Sequence, residues 1–153
     1  MQTFFHALCQ RLGISTEKNP DHLSPLTLAF VGDTVFDLAV RTLLIETHDA
    51  TVQQLHRMSS ARVRAAAQAA AALALWPGLS EREQAIFMRG RNAKPGTIPK
   101  HARPEDYALA TALECLLGWL FLRGDEKRLL EILQQTLEKQ PDRSAATTRP
   151  FRP

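Results

Sequence analysis

Two apolar, helix-patterned stretches of this chain carry carboxylates that such surroundings tolerate only for a use. Leu26 to Ile45 holds Asp33 and Asp37 between Val31, Val35 and Phe36, and Tyr107 to Leu122 has Glu114 as its only charge. An ionised carboxylate among packed Leu, Phe and Trp side chains is costly, so it neutralises, pairs or binds a cation. If the two helices pack together, Asp33 and Glu114 share one site. With no His or Cys cluster beside them, their oxygens suit a hard ion such as Mg²⁺. The plainer alternative is a pair of buried polar residues fixing helix register. It is the weaker reading, because stripping water from two carboxylates without a cation raises at least one pKa and lowers stability. Asp37, one turn after Asp33, either supports the site from behind or forms an i,i+4 ion pair with Arg41, and both readings stay open.

A second feature lies beside these carboxylates in sequence. From Gln54 to Arg103 there are nine Lys or Arg against Glu81 and Glu83 alone, a net +7, while the rest of the chain is net −4. A basic segment next to a carboxylate site fits a polyanionic substrate, although a charge run by itself is more often a solvated face. Arg89, Arg91, Asn92, Lys94 and Lys100, interleaved with Gly90 and Gly96, combine hydrogen-bond donors with flexible backbone. Phosphates and 2′-hydroxyls along an A-form minor groove require that combination. The alternative is a plain linker between helices. The five histidines are scattered, and only His101 stands near the loop as a possible phosphate contact.

These groups must be positioned by helices, since nothing in the chain reads as a strand. An amphipathic helix over 2–12 ends near Gly13, and the polar run Ser15 to His22 is a loop. Ser24 as N-cap and Pro25 at the first helical position open a helix running to about Glu46. Thr51 with Gln54 caps a third, Ala-rich helix that stops at Trp76, Pro77 and Gly78. The small side chains of its 65–72 run suit close approach by a neighbouring helix. Ser80 with Glu83 caps a fourth helix closed by Gly90. Pro104, Glu105 and Asp106 start a fifth, with acidic residues at its positive end, and Gly124 stops it. Asp125 caps a last amphipathic helix, 126–139. Trp76, Trp119 and Phe121 sit in apolar contexts that suit core or dimer packing. The expected organisation is one all-α domain over 1–139 and a polar, disordered tail over 140–153.

Composition agrees with that plan. The chain has 153 residues, of which 44% are hydrophobic, enough for one domain with a sizeable core. Cys9 and Cys115 stand far apart, and the opening segment has neither a basic start nor a long apolar run. The expectation is a cytoplasmic protein with reduced thiols. Asp33, Asp37 and Glu114 interrupt the best candidates for the roughly 18-residue apolar run that a membrane span needs.

Three blocks are specific enough to name a family. LSPLTLAFVGDTVFDLAVR at 23–41, MRGRNAKPGTIPK at 88–100 and ALATALECLLGWLFL at 108–122 resemble, in order and spacing, the blocks of Mini-ribonuclease III. These small enzymes have a ribonuclease III catalytic domain without a separate double-stranded-RNA-binding domain. The likeness spans roughly residues 20–137. It implies a helical homodimer, Mg²⁺-dependent hydrolysis of double-stranded RNA to 5′-phosphate and 3′-hydroxyl ends, and trimming of precursor 23S ribosomal RNA. By the same resemblance Asp33 matches the aspartate of the GD motif and Glu114 the glutamate of the second helical motif. Both are therefore expected to be catalytic metal ligands. The competing reading is a ribonuclease III-fold RNA-binding protein that has lost catalysis and acts in ribosome assembly; retention of both carboxylates argues against it.

The resemblance also locates departures from the longer ribonuclease III enzymes. These carry acidic residues four and seven positions before the GD aspartate and three before the second-helix glutamate. Here Ala29, Leu26 and Thr111 occupy those positions. Fewer protein ligands imply more water around the metal, which Mg²⁺ readily accepts.

Overall fold

The computed structural model describes residues 3–140, and among these it contains seven α-helices and no strand. The helices are α1 Phe4–Arg11, α2 Pro25–Thr47, α3 Val52–Val63, α4 Ala65–Leu75, α5 Glu81–Arg91, α6 Pro104–Arg123 and α7 Glu126–Glu138. Their starts follow the capping chemistry of the sequence. Ser24 Oγ accepts from the Thr27 N–H at 3.1 Å, Thr51/Gln54 and Ser80/Glu83 form complete capping boxes, and Asp125 Oδ1 accepts from the Arg128 N–H at 3.3 Å. Gly124, at φ +72°, ends α6 in the left-handed region that glycine adopts without a Cβ penalty.

The core is organised around α6. That helix is apolar on nearly all sides, so it can only be a central element, and α2, α4, α5 and α7 pack against it. Leu113, Leu116, Leu117 and Leu120 of α6 are fully enclosed together with Leu28, Phe36, Val40 and Leu44 of α2. The alanines of α4 act as anticipated: Ala69, Ala71 and Ala72 are buried and let α4 lie close to α6.

Glycine sets the closest approaches. A Cβ on Gly32 of α2 would overlap the carbonyl oxygen of Glu114 and lie 2.8 Å from the amide nitrogen of Gly118. A Cβ on Gly118 would in turn overlap the carbonyl oxygen of Leu28. At the neighbouring contact, a Cβ on Gly90 of α5 would stand 2.8 Å from Ala112 Cα and 2.7 Å from Cys115 Cβ. The glycines in the GD, RGRNAK and E-x-x-x-G blocks thus share one physical origin, which is backbone contact between helices.

Five local expectations need correction. The Ala-rich helix is two helices, because Arg64 is extended (φ −65°, ψ 151°) and breaks the chain between α3 and α4 without any Gly or Pro. Gly90 does not close α5, which continues to Arg91 with Asn92 as its C-cap; the glycine serves packing. Thr3 caps α1, so that helix is shorter than the 2–12 pattern suggested. The 15–22 loop contains a 3-10 turn, Pro20–His22, capped by Asn19. Gln140, assigned to the polar tail, is buried and donates its amide N–H to the Arg62 carbonyl at 3.0 Å. The remainder of the expected tail, 141–153, lies outside the described residues. Among the described residues no helix is long and apolar enough to cross a membrane.

Candidate active site

The crossing of α2 and α6 assembles the site. Gly32 touches the backbone of Glu114, so Asp33, the next residue on α2, and the Glu114 side chain come to the same region of the surface. Asp33 is on the exposed side of α2, contrary to the expectation of packed surroundings, whereas Glu114 is largely covered. Neither carboxylate has its ordinary acidity. Burial and then the negative charge of Asp33 push Glu114 up to about 7, against the opposing pull of a hydrogen bond from Gln68. Partial desolvation, followed by the charge of Asp37, raises Asp33.

Gln68 of α4 donates its amide N–H to Glu114 Oε1 at 3.2 Å and to the Val63 carbonyl at 2.7 Å. Sequence reading passed over it, although it is the one polar residue in AAAQAAAALAL. Asp37 accepts from Arg41 Nε at 2.7 Å, forming the i,i+4 ion pair, and its charge also acts on Asp33.

A largely covered carboxylate and a partly desolvated neighbour, both with raised pKa values, form a donor set short of positive charge, which fits an oxygen-preferring divalent cation. Among the described residues no cluster of three His, Cys, Asp or Glu is placed to hold a metal, so the protein's own contribution is small. The positions where longer enzymes carry further acids are unsuited to ligation. Ala29 is buried, Leu26 is apolar, and Thr111 donates its hydroxyl to the Tyr107 carbonyl at 2.9 Å.

The basic loop leaves α5 beside the same stretch of α6. Gly90 lies against Thr111, Ala112 and Cys115, which flank Glu114. Arg91, Asn92, Lys94, Lys100 and His101 are exposed. Arg89 differs from them: its guanidinium turns inward and donates to the carbonyls of Asp21 at 3.0 Å and Leu23 at 2.6 Å. It therefore ties the root of the loop to the segment that enters α2.

That segment is clamped a second time, through residues that sequence reading did not single out for this role. Asp21 accepts from Trp119 Nε1 at 2.7 Å and from the Arg82 guanidinium, with Arg123 at 3.8 Å. The Trp119 bond is the leading reason that Asp21 is held below the usual carboxylate range. Arg123 and Arg82 lie over the Trp119 ring at 4.5 and 5.4 Å. Trp119 thus packs as expected and also supplies a polar anchor. On the far side of α5, Glu83 accepts two bonds from Arg128, at 2.6 and 3.0 Å, joining α5 to α7.

A single helix wrapped by others, with carboxylates from two glycine-apposed helices at one surface, defines a ribonuclease III domain, and the family model described as Ribonuclease III domain matches residues 26–125. Similar proteins narrow the class. The chain is 47% identical over 116 residues to the Mini-ribonuclease 3 of Symbiobacterium thermophilum, covering 76% of this chain and 89% of that protein. It is 44% identical over 118 residues to the Mini-ribonuclease 3 of Brevibacillus brevis, covering 77% and 88%. The crystal structure of protein FN1578 from Fusobacterium nucleatum superposes with a TM-score of 0.73 at 26% identity, covering 82% of this chain and 100% of that one. The chain belongs to the Mini-ribonuclease III family, and its activity is that of a ribonuclease III-type endoribonuclease.

Proposed function

We propose that this protein is a Mg²⁺-dependent homodimeric nuclease that cuts double-stranded RNA in the cytoplasm and matures precursor 23S ribosomal RNA. Asp33 and Glu114 hold the ion. The observation that carries this reading is the pair itself: Glu114 is pushed up to about 7 by burial and by Asp33, a cost that a cation between them removes. A bound Mg²⁺ would supply a nucleophile at neutral pH and offset charge on the phosphate under attack. Water adds to phosphorus as the P–O3′ bond breaks, leaving 5′-phosphate and 3′-hydroxyl ends. Arg91, Asn92, Lys94 and Lys100 hold phosphates and 2′-hydroxyls of the duplex, and Arg89 steadies the loop that presents them.

The dimer is supported by an uncovered apolar face of α2. Leu26, Phe30, Leu38 and Ile45 are 41–80% exposed, and Asp33 lies at the edge of that stripe. An apolar face of this kind marks an interaction surface, and a two-fold axis through it gives one site for each strand of a duplex. A protein that only bound RNA would need neither carboxylate.

The test is direct. Purified protein, a long RNA duplex and Mg²⁺ should yield fragments with 5′-phosphate ends, and chelator should stop the reaction. An intact duplex in the presence of Mg²⁺ would overturn the enzymatic reading in favour of an RNA-binding assembly factor.

A further inference from the structure

Gln68 is only 2% exposed, yet it stands at the junction of two structural demands. α3 ends at Val63, and because Arg64 is extended the Val63 carbonyl has no helical donor; the Gln68 amide N–H supplies one at 2.7 Å. The same nitrogen donates to Glu114 Oε1 at 3.2 Å. Both partners are acceptors, which fixes the orientation of the amide. Its Oε1 is consequently left buried with no partner in the protein.

An orphaned buried acceptor is unfavourable and calls for a donor. The chemistry of the site indicates which one. Mg²⁺ held by few protein oxygens keeps several waters, and their hydrogens require acceptors. A neutral amide also orients a ligand carboxylate without neutralising it, as a Lys or Arg would, so it does not compete with the ion.

We propose that Gln68 is a positioning residue of the metal site, fixing Glu114 through its N–H while its Oε1 accepts a hydrogen bond from water in the ion's hydration shell. This rests on the reading of Asp33 and Glu114 as the ion's ligands. It also makes the break between α3 and α4 part of the site, since one side chain caps the broken helix and holds the ligand.

The experiment measures Mn²⁺ binding by electron paramagnetic resonance, without RNA, in the full chain and in Asp33→Asn, Glu114→Gln and Gln68→Met variants. Methionine keeps the length and burial of glutamine and removes both polar groups. Folded Gln68→Met should bind Mn²⁺ about tenfold to a hundredfold more weakly than the parent, the range typical of lost partners behind a ligand. If it melts at a lower temperature but binds Mn²⁺ with parental affinity when folded, Gln68 is only a helix cap and the proposal is overturned. If the parent binds Mn²⁺ no better than Asp33→Asn and Glu114→Gln, the ligand assignment itself is wrong and Gln68 falls with it. A second measurement does not depend on any Gln68 variant folding. The Gln68 side-chain amide signals, assigned in the parent protein, should shift on adding Mg²⁺ and stay still in Asp33→Asn; no Mg²⁺-dependent shift in the parent counts as a refutation.

Discussion

Gly32 and Glu114 are in backbone contact, so closely that a Cβ on the glycine would overlap the glutamate's carbonyl oxygen. Asp33 follows Gly32 directly, and the distance between the two helix axes therefore decides where the two carboxylates stand. Gly32→Ala should cost about 3 kcal/mol or more, because the clash is with backbone that has no rotamer to change. Urea unfolding of Gly32→Ala beside Gly96→Ala, where an added Cβ meets nothing within 4 Å, checks this. Comparable midpoints for the two would contradict a close-contact role.

Charge, as distinct from shape, is tested at the carboxylates. Asp33→Asn and Glu114→Gln should each lower single-turnover cleavage about a thousandfold or more while leaving duplex binding intact, since loss of a ligand affects the transition state and binding rests on distant Lys and Arg. Each neutralisation also relieves repulsion between the acids, so thermal stability in the absence of metal should hold or rise. Parental cleavage rates with either variant would remove that residue from the catalytic assignment.

The acidity of Glu114 gives a signed pH dependence. Its folded pKa, about 7, exceeds the ordinary 4.5, so between those values the folded state binds more protons than the unfolded chain. Stability without metal should therefore be greatest below pH 4.5 as far as this group is concerned, decline as pH rises toward 7, and level off above. Protons and the cation compete for the same oxygens, so Mg²⁺ affinity should climb through that interval. Glu114→Gln should flatten both profiles, and equal slopes in parent and variant would sink the prediction.

The loop separates a structural arginine from exposed ones. Arg91→Ala with Lys94→Ala should weaken duplex binding and reduce the salt slope by about 2 without altering stability, because each phosphate contact releases counterions. Arg89→Ala should instead destabilise the protein by roughly 2 kcal/mol, since two carbonyls before α2 lose a charged donor. Filter binding across a salt series and chemical denaturation distinguish the two behaviours.

Phe30, 80% exposed on α2, tests assembly. Phe30→Asp should yield folded monomer where the parent sediments as a dimer at micromolar concentration, because a buried unpaired charge at an interface is unfavourable and the side chain makes no contribution to the monomer core. A parent that sediments only as monomer would refute the proposed dimer.

Much of this protein was determined by sequence alone. Ser24, Thr51, Ser80 and Asp125 each begin a helix, because a side-chain oxygen followed by free backbone N–H groups is a local arrangement that needs no distant partner. Asp33 and Glu114 stood out for the same kind of reason, as charges in apolar stretches. What only the tertiary structure decided depends on contacts between residues far apart in the chain. Arg64 breaks a helix that its neighbours favour, and the carbonyls at the end of α3 are met by the side-chain amides of Gln68 and, from far along the chain, Gln140. Arg89 looks like its neighbour Arg91 in sequence, yet it faces inward because the carbonyls of Asp21 and Leu23 lie within its reach. Gly90 read as a stop signal and proved to be a contact, since the lack of a Cβ serves either purpose and only the position of α6 selects between them. Local hydrogen bonding is encoded within a few residues, whereas the assignment of a side chain to core, clamp or site is set by what the fold brings opposite it.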